Sequence, residues 1–315
     1  MIRTYAPGDE QALCDLWNSA GLRMGYAPLN LEKFRKLLTE HPDFSGELSF
    51  VLEEAGDIRG FAVGCVSGTT GYISCLILDE MADTTECTEK LINILEAAFR
   101  NRGMTRSAVS FFNPMRLPWV IPGTPGHQHN NVPGVAVELP LYERMLDLGY
   151  QETSRECALY YCLANHTTPD WVEEKAAKME ERGYTVARYD AARHVGLKEM
   201  LERLGNPQWV SEITAAAKAG MDLLVGLKGN VCAGFTGPVY PEETGRGYLS
   251  GIAVGPQFER NGLGTLLFYR LLQREKEVGS QYMSIFTGLD NHAKRIYLEA
   301  GFQIVRTFAV MRKEL

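Results

Sequence analysis

The chain has 315 residues, 45% of them hydrophobic and 23% charged, which is a globular profile with enough apolar sequence for two ordinary domains. The formal net charge of −7 comes without any Lys/Arg run interleaved with aromatics, which argues against nucleic acid, because phosphate binding needs a clustered basic surface. The opening residues lack a signal-peptide core, no apolar run reaches membrane-spanning length, and the seven cysteines contain no CxxC pair, so a reducing cytoplasm with no membrane partner is the expected setting.

In chain order, Leu48–Glu53 and Ile58–Val66 read as a hairpin about Gly56-Asp57, followed by a strand over Gly71–Leu78. Leu91 and Leu95 then mark a helix, and Val109 a further strand-like run. Residues 113–139 are dense in Pro and Gly yet contain Trp119, Val120 and Ile121, which predicts an ordered loop rather than a disordered tail. Such a loop suits either an acceptor-pocket wall or a structural cover. His127 and His129 lack a third ligand, so no metal is expected. The polar stretch Ala164–Asp170, with Pro169, reads as a linker between domains 1–163 and 164–315, ahead of a charged helix at Trp171–Arg182. Strands follow near Tyr184–Tyr189, Asp222–Leu227, Val231–Tyr240, Gly247–Val254, Tyr282–Thr287 and Phe302–Met311. Helices fall near Ala191–Leu204, Gln208–Ala219, Leu263–Val278 and Asn291–Ala300.

A repeat organises these elements. Gly71-Tyr-Ile-Ser-Cys-Leu-Ile-Leu78 matches Gly247-Tyr-Leu-Ser-Gly-Ile-Ala-Val254 at an offset of 176 (247 − 71). The same offset carries Leu91, Leu95, Gly103 and Val109 onto Leu267, Leu271, Gly279 and Ile285 without a gap. Each half is thus an α/β layer on a mixed sheet.

The turn Arg260-Asn-Gly262-Leu-Gly264-Thr265 follows an apolar strand and opens a helix with Leu263, Leu266, Leu267 and Leu271 on its apolar face. Glycines at the positive end of a helix dipole let phosphate approach free backbone N–H groups, so this reads as a pyrophosphate cradle. It is not a P-loop, having no Gly-Lys-Ser/Thr, and Leu267 stands where the dinucleotide fingerprint needs a third glycine.

Together with Ile252-Ala253-Val254 upstream and Asn291-His-Ala-Lys-Arg-Ile-Tyr297-Leu-Glu-Ala-Gly301-Phe302 downstream, this turn resembles the acetyl-coenzyme-A signature of the GNAT N-acetyltransferases. The resemblance covers the second half and implies two tandem GNAT folds, each a mixed, mostly antiparallel sheet flanked by helices with a splayed central strand pair. It implies acetyl-CoA as cosubstrate and a primary amine as acceptor. Ile252, Ala253 and Val254 would run beside the pantetheine, with the Val254 amide as oxyanion donor. Arg260, Asn261, Gly262, Leu263, Gly264 and Thr265 would hold the pyrophosphate, and Asn291 the pantetheine. Tyr297 would protonate the departing thiolate, a role open to a phenol that stays protonated at neutral pH.

Two positions depart from the family pattern. Glu259 stands where Arg or Gln is usual, three residues before Gly262, which leaves Arg260 to supply positive charge. Tyr248 stands where some members carry a strand glutamate as general base, and Glu242 and Glu243 in the preceding loop are the remaining candidates. In the first half the glycine turn is replaced by Glu86-Cys87-Thr88 in an acidic stretch, and Met145 replaces the tyrosine. Gly103 to Gly149 spans 46 positions against 22 from Gly279 to Gly301, an insertion of about 24 residues. The first half therefore reads as a copy that has lost the coenzyme site, a layout similar to that of mycothiol synthase. Chemistry in the second half is the leading reading, and a non-catalytic acyl-CoA-binding sensor is the alternative. Acceptor identity and oligomeric state stay open.

Overall fold

The computed structural model describes all residues, Met1–Leu315. Two units emerge: Met1–Ala158 with Phe286–Asn291 and Ile304–Leu315, and Leu159–Ile285 with His292–Gln303. The first begins β1 (Ile2–Thr4), α1 (Glu10–Leu16), α2 (Leu31–Leu37), β2 (Ser49–Glu54), β3 (Asp57–Ser67), β4 (Thr70–Leu78), α3 (Thr85–Asn101) and β5 (Arg106–Val109). It continues through β6 (Trp119–Val120), β7 (Gln128–His129), β8 (Val135–Ala136), α4 (Pro140–Asp147) and β9 (Gln151–Cys162), whose last residues belong to the second unit. The second unit holds α5 (Asp170–Glu180), β10 (Tyr184–Arg188), α6 (Leu197–Arg203), α7 (Pro207–Lys218), β11 (Leu224–Lys228), β12 (Val231–Gly237), β13 (Gly251–Val254) and α8 (Leu263–Glu277). It also holds the start of β14 (Tyr282–Gly288) and α9 (Lys294–Glu299). The last strand, β15 (Gln303–Glu314), belongs from Ile304 onward to the first unit, where it pairs antiparallel with β5 and with β8. No helix is long and apolar enough to cross a membrane.

The first sheet is laid down by hairpins. Ala55 and Gly56 both take positive φ (52° and 91°), the pattern of a tight two-residue hairpin turn, so the turn falls one residue earlier than Gly56-Asp57 suggests. β1 to β4 follow one another antiparallel, and β4 then meets β5 in parallel over Thr70–Tyr72 and Arg106–Ala108. Beyond Tyr72, β4 runs on to Leu78 without β5. The second unit repeats this arrangement at the same offset: Arg246 bridges Tyr282 in parallel, and the two chains then part. Its sheet, β10-β11-β12-β13, ends at β13. The strand expected over Gly247–Val254 shortens to Gly251–Val254, because the Gly247 N–H donates to Tyr282 O (2.8 Å) and the Tyr248 N–H to Tyr240 O (3.0 Å) rather than into the β12 ladder.

In the first unit the parting between β4 and β5 is filled. Gly134 passes so close to β15 that a β-carbon there would lie 2.2 Å from Ala309 O. Val135 and Ala136 then pair with Ala309 and Phe308. Trp119 is buried and its ring meets Phe308 edge-on at 5.3 Å. What remains is an apolar cavity of about 50 Å³, lined by Ile73, Cys75, Val109, Trp119, Val135 and Phe308 among others. The 113–139 insertion is thus ordered, and part of it is core. His129 is buried within it, its Nδ1 accepting from the Asn131 N–H (3.1 Å).

The copies differ sharply at one packed position. In the first, the α3 residue Phe99 lies on Gly71, where a β-carbon would meet its ring at 2.4 Å. At the same offset in the second, Glu275 of α8 lies on Gly247, where a β-carbon would meet its Oε2 at 2.6 Å. Glu275 is fully buried, accepts from Ser280 Oγ (2.5 Å), and has an Oε1 with no partner. Burial pushes its carboxyl up to about 8, against the opposing pull of Ser280 and Arg246. The folded state therefore holds this proton where the unfolded chain has released it, and stability falls as pH rises from about 4.5 to about 8. Glu275→Gln should remove that slope, gaining about 1.4 kcal/mol over wild type per pH unit within the window. Thermal denaturation at pH 5 and pH 8 tests this, and an equal difference in Tm at both would contradict it.

Candidate active site

The site begins where the two chains part. Arg246 is 4% exposed; its guanidinium donates to Ser284 O (3.0 Å) and to both Glu242 oxygens (2.6 and 3.0 Å). A strand carbonyl that has lost its ladder partner is thereby satisfied by a side chain, and the buried cation is satisfied by a carboxylate. Glu242 is accordingly committed to holding the splay, while Glu243 stays exposed on its loop. Next, β13 pairs with β12 in the register Thr236–Ile252 and Gly234–Val254, and the Gly255 N–H donates to Ala233 O (2.8 Å). By antiparallel alternation, Ile252 and Val254 then occupy non-hydrogen-bonded positions. Their N–H and C=O groups face the open edge, as an extended ligand arm alongside the strand requires. Ile252, Ala253 and Val254 are all half-buried.

The strand leads into the glycine turn. Gly262 caps α8 in the left-handed region (φ 87°) with no side-chain cap, so the first amides of the helix are left for a ligand. Arg260 also takes positive φ (62°) and is exposed, as is Glu259. A β-carbon at Gly264 would lie 3.6 Å from Val254 Cγ2, so the strand end and the turn are in contact. Helix α5 and the residues just after it add positive charge beside that of Arg260. Lys175 lies against the turn, its Nζ 2.8 Å from where a Gly262 β-carbon would stand, and Arg182 Nη2 donates to Asn261 O (3.3 Å). Leu263 is buried, and Thr265 is half-buried in the first turn of α8.

Tyr297 of α9 is 8% exposed and packs its ring on Phe268 of α8 at 4.7 Å. Burial raises its phenol above the ordinary value, so it is a proton donor across the neutral range. Asn291 precedes α9, which starts only at Lys294, and its N–H donates to Gly288 O (3.0 Å) within the 286–291 segment of the first unit. Thus Val254, the glycine turn and Tyr297 share the second unit, and Asn291 falls in the other.

Residues 197–302 match the family model of the acetyltransferase (GNAT) family. Residues 197–302 thus form an acetyltransferase domain of the GNAT family. Solved structures extend the likeness of fold to the whole length of the chain. A glucosamine N-acetyltransferase region of a fungal multi-domain GH3 β-N-acetylglucosaminidase superposes with a TM-score of 0.73 at 14% identity, covering 99% of this chain and 38% of that one. A GCN5-related N-acetyltransferase from Sphaerobacter thermophilus gives 0.68 at 15% identity, covering 100% and 95%. A tandem GNAT protein from the clavulanic acid biosynthesis pathway gives 0.61 at 13% identity, covering 100% and 98%. The curated proteins give no significant sequence match.

Within this GNAT fold, three contributions escaped the sequence reading. Lys175 lies in a helix whose charged face looks like any solvated one. Arg246 reads as a loop charge, although it is buried. At the strand position without a carboxylate, the Tyr248 hydroxyl donates instead to Glu212 of α7. If Lys175 screens the phosphates, Lys175→Ala should weaken coenzyme A binding roughly 3–10-fold at low salt and less at 0.5 M. Isothermal titration at two salt concentrations measures this, and unchanged affinity at low salt would remove Lys175 from the site.

Proposed function

We propose that the second unit is an acetyl-CoA-dependent N-acetyltransferase acting on a primary amine of a small-molecule acceptor, by direct attack in a ternary complex. The observation that carries this reading is the open edge of β13, which presents the Val254 and Ile252 amides and runs into an uncapped helix N-terminus. Pantetheine would extend the sheet beside Ile252–Val254, with its pyrophosphate on the Gly262–Thr265 amides near Lys175 and Arg260. The amine attacks the thioester carbonyl, the Val254 N–H stabilises the oxyanion, and collapse releases a thiolate that takes the Tyr297 proton.

One active site per chain is proposed. The helix opening the matching turn in the first unit is already capped, with Thr84 Oγ1 accepting from the Cys87 N–H (3.2 Å). Asp83 of that turn is held by Arg144 (2.5 Å). A non-catalytic acyl-CoA sensor draws on β13's lack of a carboxylate; coenzyme binding without thiol release across a broad amine panel would establish it.

Tyr297→Phe should lower kcat roughly 10–100-fold while leaving the KM for acetyl-CoA within about twofold. Thiol release followed from pH 6 to 9 tests this, and wild-type rates in the variant throughout would defeat the assignment of Tyr297.

A further inference from the structure

Along the chain that leads into β13, side chains from three segments converge. Tyr248 stacks face to face on Tyr240 (4.7 Å, 15°). On α7, Trp209 and Glu212 stand one turn apart on one face. The Trp209 Nε1–H donates to Ser250 O (3.2 Å), and its ring fills the space a Gly251 β-carbon would need, 2.6 Å away. Glu212 Oε1 accepts a hydrogen bond from the Tyr248 hydroxyl. All four side chains are half-buried, so this wall is reachable from solvent. It contains one carboxylate and three aromatic faces, which together suit a protonated amine.

Resting on the transferase reading above, we infer that Tyr248 and Glu212 form a two-residue proton relay that receives the acceptor as an alkylammonium ion and delivers it neutral. The ammonium N–H bond breaks, its proton passing to Tyr248 Oη as the Tyr248 proton passes to Glu212 Oε1 and then to water. The freed lone pair forms the C–N bond at the thioester carbon, and the C–S bond breaks on collapse. The thiolate takes the Tyr297 proton, and the remaining excess proton on nitrogen restores that phenol through solvent. Tyr248 touches the substrate, whereas Glu212 acts through it as a positioning residue and proton acceptor.

The test uses the full chain, acetyl-CoA and 1,4-diaminobutane within a panel of primary alkylamines, with thiol release read from pH 6.5 to 10. Tyr248→Phe and Glu212→Gln should each lower kcat/KM for the amine ~100-fold at pH 7. The loss should shrink to under ~5-fold near pH 10, where roughly a quarter of an alkylamine is already neutral, and the KM for acetyl-CoA should not change. The double variant should be no worse than either single one, since both break the same relay. A loss uniform across pH, or wild-type profiles in both variants, overturns the relay while leaving the transferase reading intact. A wild-type protein that releases no thiol with any amine at any pH overturns the transferase reading and the relay with it. A thermal shift with coenzyme A confirms that each variant is folded.

Discussion

Everything at the site depends on two parallel strands that begin paired and then part. Leaving half a strand unpaired inside a protein costs roughly 1–3 kcal/mol for each polar group left unsatisfied. At the base of the splay that cost is offset locally. The Arg246–Tyr282 bridge closes the pair, and the Arg246 guanidinium then reaches across to Ser284 O. Because a buried guanidinium needs its own counter-ion, Glu242 is drawn in as well. Once the base is fixed, β13 has only β12 beside it, and its outward amides point to where a ligand strand would complete the sheet.

The first unit has the same base and a different answer to the same problem. There the β4–β5 pairing closes on Thr70 and Arg106, and protein fills the opening: β8 pairs with β15, and Trp119 packs behind it. Where the second copy has the buried carboxyl of Glu275 against a glycine, the first has the Phe99 ring. A filled splay no longer exposes amides, so an aromatic anchor and a side-chain helix cap suffice. Thr84 supplies that cap, whereas Gly262 leaves the corresponding amides open. The absence of the two glycines and the presence of the insertion thus occur together in this unit.

Much of this was legible in the sequence because it is local. Strand and helix periodicity placed most second-half elements within a few residues, and the offset of the repeat survives in the parallel bridges themselves. The glycine turn, the apolar strand before it and Tyr297 are short-range patterns, visible along the chain without knowing what packs on them. What escaped is long-range. Lys175 meets Gly262 only through the packing of α5, and Glu212 meets Tyr248 across 36 positions. The last strand was expected with the second half by its place in the repeat, yet its backbone bonds with β5 and β8. Hydrophobic alternation tells that a segment is a strand, not which edge it joins.

Charge at the glycine turn shows the same division between neighbours in sequence and neighbours in space. Read along the chain, Glu259 puts a carboxylate three residues before the first glycine and suggests a weakened phosphate site. In the fold Glu259 is exposed and Lys175 is the charge that lies on Gly262. The field of an exposed carboxylate is weakened by water and largely screened beyond a Debye length of about 8 Å at physiological salt. A half-buried ammonium beside free amides at the positive end of a helix is screened less, and it adds to the field of those amides. The charge at the turn is therefore set by Arg260 within the motif together with α5, an element that lies ahead of the residues matching the family model.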